Sequence, residues 1–326
     1  MTGWLFTLLA MIGGVGEDRP AQPMPAPPAA TTPTGDAALT EAEVLAIGYQ
    51  ETRMTVPVEI AGIGPHAFMI DTGSQRTVIA RQLAEQLRLT AGPVISLTAM
   101  SGTSRVPTVT IPSLRLTERS RSSAITAPAL EAHHVGGMGL LGVDVLQGHR
   151  VVIDFDANQM QLMPSSRRTA TRARSDEIVV EARNRAGQLI LTEAFYGGHR
   201  VRVVVDTGSS VTIGNSALRA IVARRGGKTV PMSLLSVTGG QVTADYGYVD
   251  RLKLGAMSFT NLPMAFVDVP PFARLGLDKR PAIMLGMDAI SKFRRIEVDF
   301  PNRQVVFRMP REVAAGPRGI ADRSAI

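Results

Sequence analysis

The tetrapeptide Asp-Thr-Gly-Ser occurs twice in this chain, as Asp71–Ser74 and as Asp206–Ser209, and each copy follows an unbroken apolar run. Phe68-Met-Ile leads into the first and Val203-Val-Val into the second. A short apolar run bounded by turn residues reads as a buried strand. Each strand therefore delivers an ionisable side chain to the end of a buried segment. A carboxylate there must be paired, hydrogen-bonded or protonated. Two such carboxylates, one per copy, point to each other as partners.

The repetition extends far beyond the tetrapeptide. Gly62 and Gly197, Asp71 and Asp206, and Thr77 and Thr212 are each 135 positions apart. Gly102 then corresponds to Gly239, Leu141-Gly-Val-Asp to Leu285-Gly-Met-Asp, and Asp154-Phe to Asp299-Phe, where the offset has drifted to 145. A drifting offset with conserved element order places the insertions in loops. Two homologous lobes follow, at residues 46–164 and 177–312, each large enough to bury its own core. Within each, the pattern predicts a hairpin (Val56 to Ile70 in the first lobe) leading into the Asp, and a short helix over Ala80–Leu89. A second hairpin follows around Ala99–Thr103, and a third turns at Asp156-Ala-Asn. The expected fold class is mainly all-β.

Between the lobes, residues 165–176 carry Arg167, Arg168, Arg172 and Arg174 and read as a solvated linker; residues 313–326 form a tail. The other end differs. Trp4–Val15 is an apolar run within residues 1–19, shorter than a membrane span and of the length of a signal-peptide core. Residues 20–45 follow as a Pro/Ala/Thr-rich tether. That order leads us to expect export, to the periplasm or beyond, with no membrane span left after processing.

Composition removes several alternatives. The chain of 326 residues has no cysteine, which excludes disulfides, thiolate metal sites and a cysteine nucleophile. It carries a net charge of +7, but the arginines are dispersed and aromatic residues make up only 5%, so nucleic acid is not the expected partner. His133-His134 has no accompanying cluster of acids and is expected to be a loop pair, not a metal site. Gly13-Gly-Val-Gly has neither the strand nor the lysine of a phosphate loop.

From Thr55 to Pro310 the chain resembles the aspartic proteases, and within them the bacterial retropepsin-like enzymes. The resemblance rests on both Asp-Thr-Gly-Ser copies and on Leu140-Leu-Gly and Met284-Leu-Gly at corresponding distances after them. It implies two fused β-barrel lobes with the active site in the cleft between them, on a pseudo-symmetric monomer. It implies Asp71 and Asp206 as the catalytic pair, with no metal and no cofactor. Thr72 and Thr207 would bond across to the opposite turn, and Gly73 and Gly208 would admit close backbone approach. Ser74 and Ser209 would donate to the outer carboxylate oxygens. Met100, Ser101 and Gly102, with Thr238, Gly239 and Gly240, would form two flaps over a polypeptide bound in extended form. No tyrosine lies in the first flap; the four are Tyr49, Tyr196, Tyr246 and Tyr248. Asp144 and Asp288 are expected to cap short helices.

The chemistry needs two carboxylates. At about 3 Å apart, two negative charges repel by roughly 5 kcal/mol at an effective dielectric of 20, so the pair holds one proton over a wide pH range. The ionised member takes a proton from water while the protonated one polarises the scissile carbonyl. The expected function is therefore an aspartic endopeptidase. The alternative is a silent module that keeps the fold and binds peptides without cutting them.

Overall fold

The structure is a computed structural model that describes residues 2–4, 8–9, 43–50, 53–118, 120–165, 177–185, 188–255 and 257–309. Most of the Pro-rich stretch, most of the Arg-rich linker and the tail lie outside the described residues. Strands dominate and every helix is short. Among the described residues no helix is long and apolar enough to cross a membrane.

In the first lobe Arg53–Ile60 and Ile63–Ile70 form the expected hairpin, with Thr55 opposite Met69. The strand Gly139–Leu141 then inserts beside it, parallel to Met69–Ile70 and antiparallel to Val78–Ile79. All three segments are buried, which is why their sequences are continuously apolar instead of alternating. The helix after the first turn is shorter than its apolar spacing predicts, running Arg81–Gln86. His133 and His134 belong to a helical turn, Ala132–Val135, and not to a loop.

The second lobe repeats this arrangement and closes it. Gln188–Tyr196, His199–Val205, Ala282–Leu285, Ile213–Gly214, Met257–Phe266 and Gln241–Leu254 pair in that order, and the last pairs again with the first. The result is a closed six-stranded barrel, which leaves no free edge among those strands.

A third sheet joins the lobes. His149–Asp154 of the first lobe pairs antiparallel with Arg295–Asp299 of the second, flanked by Gln159–Pro164 and Glu43–Ala46 on one side and Gln304–Arg308 and Glu177–Arg185 on the other. Val151 lies opposite Val298, Val152 opposite Glu297, and Ile153 opposite Ile296. Since Val152 and Glu297 are equivalent positions of the repeat, the pseudo-two-fold axis passes through their pairing. The packing there is isologous, as between subunits of a symmetric dimer.

Two hairpins reach across to the opposite lobe: Thr90–Ala99 with Gly102–Ile111 in the first lobe, and Thr229–Ser236 with Gln241–Leu254 in the second. The first turns tightly at Met100-Ser101, closed by Ala99 opposite Gly102. The second closes where Ser236 N donates to Gly240 O at 2.8 Å. Each has a further short neighbour from the start of the chain. Thr2–Trp4 runs parallel to the first flap strand, Trp4 opposite Thr98, and Leu8–Leu9 runs antiparallel to the second, Leu9 opposite Leu235.

Candidate active site

The two parallel insertions fix the Asp-Thr-Gly-Ser turns. Asp71 N donates to Leu141 O and Asp206 N to Leu285 O, each at 3.0 Å, so each Asp is held at the end of its strand by the Leu-Gly segment that follows in sequence. The turns then interlock. Thr72 N donates to Thr207 Oγ1 at 3.1 Å and Thr207 N to Thr72 Oγ1 at 3.2 Å. Thr72 Oγ1 donates to Val205 O and Thr207 Oγ1 to Ile70 O, each at 2.8 Å. Every group in this exchange is buried, so each bond is sheltered from water and the two turns are held as one unit.

Glycine is required beside the carboxylates by space. A Cβ on Gly73 would sit 2.5 Å from Asp206 Oδ1, and one on Gly208 would sit 2.3 Å from Asp71 Cγ. The bare backbone lets Gly73 N donate to Asp71 Oδ1 at 2.9 Å and Gly208 N to Asp206 Oδ1 at 3.1 Å. Asp71 and Asp206 are both fully buried. Burial, the neighbouring charge of Asp71 and a hydrogen bond between the two carboxyls raise the pKa of Asp206 well above the usual carboxylate range. The Gly208 and Ser209 N–H groups oppose the shift. Asp206 Oδ2 is buried and receives no N–H or hydroxyl donor from the described residues. Two carboxyls buried side by side share a proton, and the pair titrates as one unit.

Ser74 and Ser209 do not act as the resemblance implies. Ser74 Oγ donates to Arg76 O at 2.7 Å and Ser209 Oγ to Val211 O at 2.6 Å. A hydroxyl has one hydrogen, and a main-chain carbonyl two residues on, within the same tight turn, takes it. Asp144 and Asp288 also differ from expectation. The residues at the helix starts are Gly142 and Gly286; the two acids lie in the first turn and reach back. Asp144 Oδ1 accepts from Thr77 Oγ1 at 2.8 Å, and Asp288 Oδ1 from Thr212 Oγ1 at 2.6 Å. Thr77 and Thr212 accept in turn from Gly142 N and Gly286 N, at 3.1 and 3.0 Å. Each acid thus ties the end of an Asp-Thr-Gly-Ser loop to the following strand and helix. Burial raises the pKa of both, that of Asp288 to about 6.

The six flap residues singled out in the sequence come together at facing tips. Ser101 Oγ and Thr238 Oγ1 are 3.0 Å apart, and a Cβ on Gly240 would lie 2.5 Å from Ser101 Oγ. Gly239 lies against His134, where a Cβ would be 2.4 Å from the ring. The tips also cross. Met100 is buried among Val204, Ile213, Leu234 and Met284 of the second lobe. Val237 is buried among Met69, Val78, Leu97 and Leu140 of the first. These two sets occupy equivalent positions, so each flap closes over the opposite lobe.

One contact has no sequence signal of its own. The side chain of Gln188, fully buried in the second lobe, donates through Nε2 to Gly73 O in the first Asp-Thr-Gly-Ser turn. A lone glutamine in a strand resembles any solvated one until the fold places it. Among the described residues no group of His, Asp or Glu could hold a metal ion.

A two-lobed β protein with one carboxylate per lobe, paired on a pseudo-two-fold axis beneath two crossing flaps, is the class of protein these features define. The family model for aspartyl proteases matches residues 56–145 and 192–289, one match per lobe and together more than half of the chain. The chain belongs to the aspartyl protease family. Comparison with curated proteins gives no match.

Proposed function

We propose that the protein is an endopeptidase in which Asp71 and Asp206 activate one water molecule directly, without a covalent intermediate. Asp71, as carboxylate, takes a proton from the water. Its oxygen adds to the scissile carbonyl carbon while Asp206 donates a hydrogen bond to the carbonyl oxygen. The C–N bond then breaks, the leaving nitrogen takes a proton from the dyad, and a carboxylic acid and an amine are released. The substrate is a polypeptide in extended form, held by strand addition along the flap strands. The observation that carries this reading is the buried Asp206 Oδ2, without an N–H or hydroxyl donor, beside Asp71.

The test is cleavage of a mixed peptide library by the purified wild-type protein and by Asp71→Asn and Asp206→Asn, with and without a statine-type inhibitor. Cleavage by the wild type alone, blocked by the inhibitor, is the expected result. Inhibitor binding without cleavage would show a silent peptide-binding module instead. Undiminished cleavage by either Asn variant would remove the dyad from the mechanism.

A further inference from the structure

Four arginines that the sequence disperses, Arg183, Arg200, Arg202 and Arg280, are gathered by the fold on one side of the second lobe. Alternate residues of a strand share a face, and residues paired directly across a sheet share it too. Val204, Arg202 and Arg200 therefore stand in one row along His199–Val205. Met284 and Ala282 form the row beside it, Met284 opposite Val204 and Ala282 opposite Arg202. Arg280 precedes that strand, and its charge reaches Arg202. On the other side Ile190 lies opposite Val204, and Arg183 opposite Ile190. This is the face on which Met100 of the first flap rests, among Val204, Ile190 and Met284. Arg202 is also close to the dyad. It comes four residues before Asp206, about 13 Å away at a strand rise of roughly 3.3 Å per residue.

The cluster lacks a counter-charge. Among the described residues none of the four forms an ion pair. Arg200 is held over the ring of Phe195, 5.5 Å from its centroid. Burial, and then the charges of Arg200, Arg280 and Arg183, lower the pKa of Arg202, with no carboxylate acting the other way. A guanidinium stays charged nonetheless. Its Nη1 is buried and finds no acceptor among the described residues. A buried donor left without an acceptor is costly, and an anion that supplies one relieves the repulsion as well. Nor does the fold impose the cluster. Counting through the repeat, the first lobe carries Gly48, Pro65, Ala67 and Gly136 at the equivalent places, none of them charged. From this placement we infer that the four arginines form a subsite for an acidic side chain of the polypeptide substrate, on one side of the cut only and within about four residues of it. The inference rests on the endopeptidase reading above. The planar guanidinium suits a carboxylate, which accepts from two N–H groups at once.

Glutamate and glutamine differ by one charge at nearly equal size, which makes the pair the probe. The library peptide that binds Asp206→Asn most tightly is resynthesised with Glu and with Gln at each position in turn. Kd is measured on Asp206→Asn and kcat/KM on the wild type. The expected result is a preference of about tenfold for Glu at one position, on one side of the cut, weakening as salt is added. In Arg200→Gln/Arg280→Gln, where both side chains are exposed, and in Arg202→Gln, the Glu-to-Gln ratio should fall towards one. Glu and Gln peptides handled equally at every position overturn the inference. So does a Glu preference that the arginine variants keep, or one of equal size on both sides of the cut. In each case continued cleavage spares the endopeptidase reading. A wild type that cuts no peptide overturns that reading first, and the Kd ratio on Asp206→Asn, with and without the arginine substitutions, then decides the subsite by itself. A chain that neither binds nor cuts any member overturns both.

Discussion

At the scale of single residues, the site is governed by what fits within hydrogen-bond distance of two buried carboxyls. Gly73→Ala places a methyl where Asp206 Oδ1 lies, 2.5 Å away, and one of the two must move. A displacement near 1 Å at reacting atoms costs about 100-fold in rate. We expect at least that loss in kcat/KM, with the circular-dichroism spectrum of the folded protein retained. A Gly73→Ala enzyme of wild-type activity would show that this close approach is not needed for catalysis. The serines lead to a different expectation. Because Ser74 and Ser209 donate to Arg76 O and Val211 O, removing both hydroxyls should weaken the turns by about 1 kcal/mol each and leave both limbs of the pH–rate bell in place. Thermal unfolding and pH profiles of Ser74→Ala/Ser209→Ala test both halves. A moved acid limb would restore the serines as donors to the dyad.

At the scale of elements, two devices hold the Asp-Thr-Gly-Ser loops and cover them. The first is the tie from Asp288 to Thr212. The carboxyl of Asp288 has a folded pKa of about 6 against an ordinary value of 3.8, so the folded protein holds this proton more tightly than the unfolded chain. That contribution to stability is complete below the unfolded value and is lost as pH rises through about 6. The loss amounts to on the order of 3 kcal/mol at neutral pH. The fall in Tm between pH 4 and 7 should therefore be shallower in Asp288→Asn than in the wild type, and parallel curves would reject it. The second device is the crossed flap tip. Met100→Ala removes a side chain that is 2% exposed, at a cost of about 2–3 kcal/mol to the closed state. KM for a peptide should rise by about tenfold or more, with faster hydrogen exchange at Thr90–Ile111 than elsewhere. Unchanged KM would separate flap closure from peptide binding. How much of this is legible in the sequence depends on whether the chemistry is contiguous. The Asp-Thr-Gly-Ser turns, the Leu-Gly strands and both hairpin tips are short strings with a fixed internal geometry, and they can be found by reading. The tie between Asp288 and Thr212 spans 76 positions, and its repetition at Asp144 and Thr77 is visible without its meaning. Gln188 reaches Gly73 across 115 positions and carries no motif. The serines depart from the resemblance for a local reason: a carbonyl two residues ahead outcompetes a carboxylate that already accepts from backbone N–H groups.

At the scale of the molecule, both half-sites lie on one chain and are joined by a shared sheet. Activity per mole should accordingly hold constant on dilution from micromolar to nanomolar protein, and a second-order loss would reveal an obligate dimer. The axis of that sheet also has a composition that no pair of identical chains can have. Val152 lies opposite Glu297, and the single carboxylate of Glu297 stands 3.7 Å from Arg150 Nε and 3.4 Å from Arg295 Nε, two arginines at equivalent positions. Identical halves would set glutamate against glutamate or leave both arginines facing valines. Covalent fusion removes the demand that a surface tolerate its own mirror partner, and the same freedom reaches the cleft. Thr98 and Leu235 stand at matching places with unlike side chains, so a polypeptide laid between the lobes amino end first would meet a different pair of walls from one laid in reverse. Two equal halves would present the same walls to either direction of travel; these two do not.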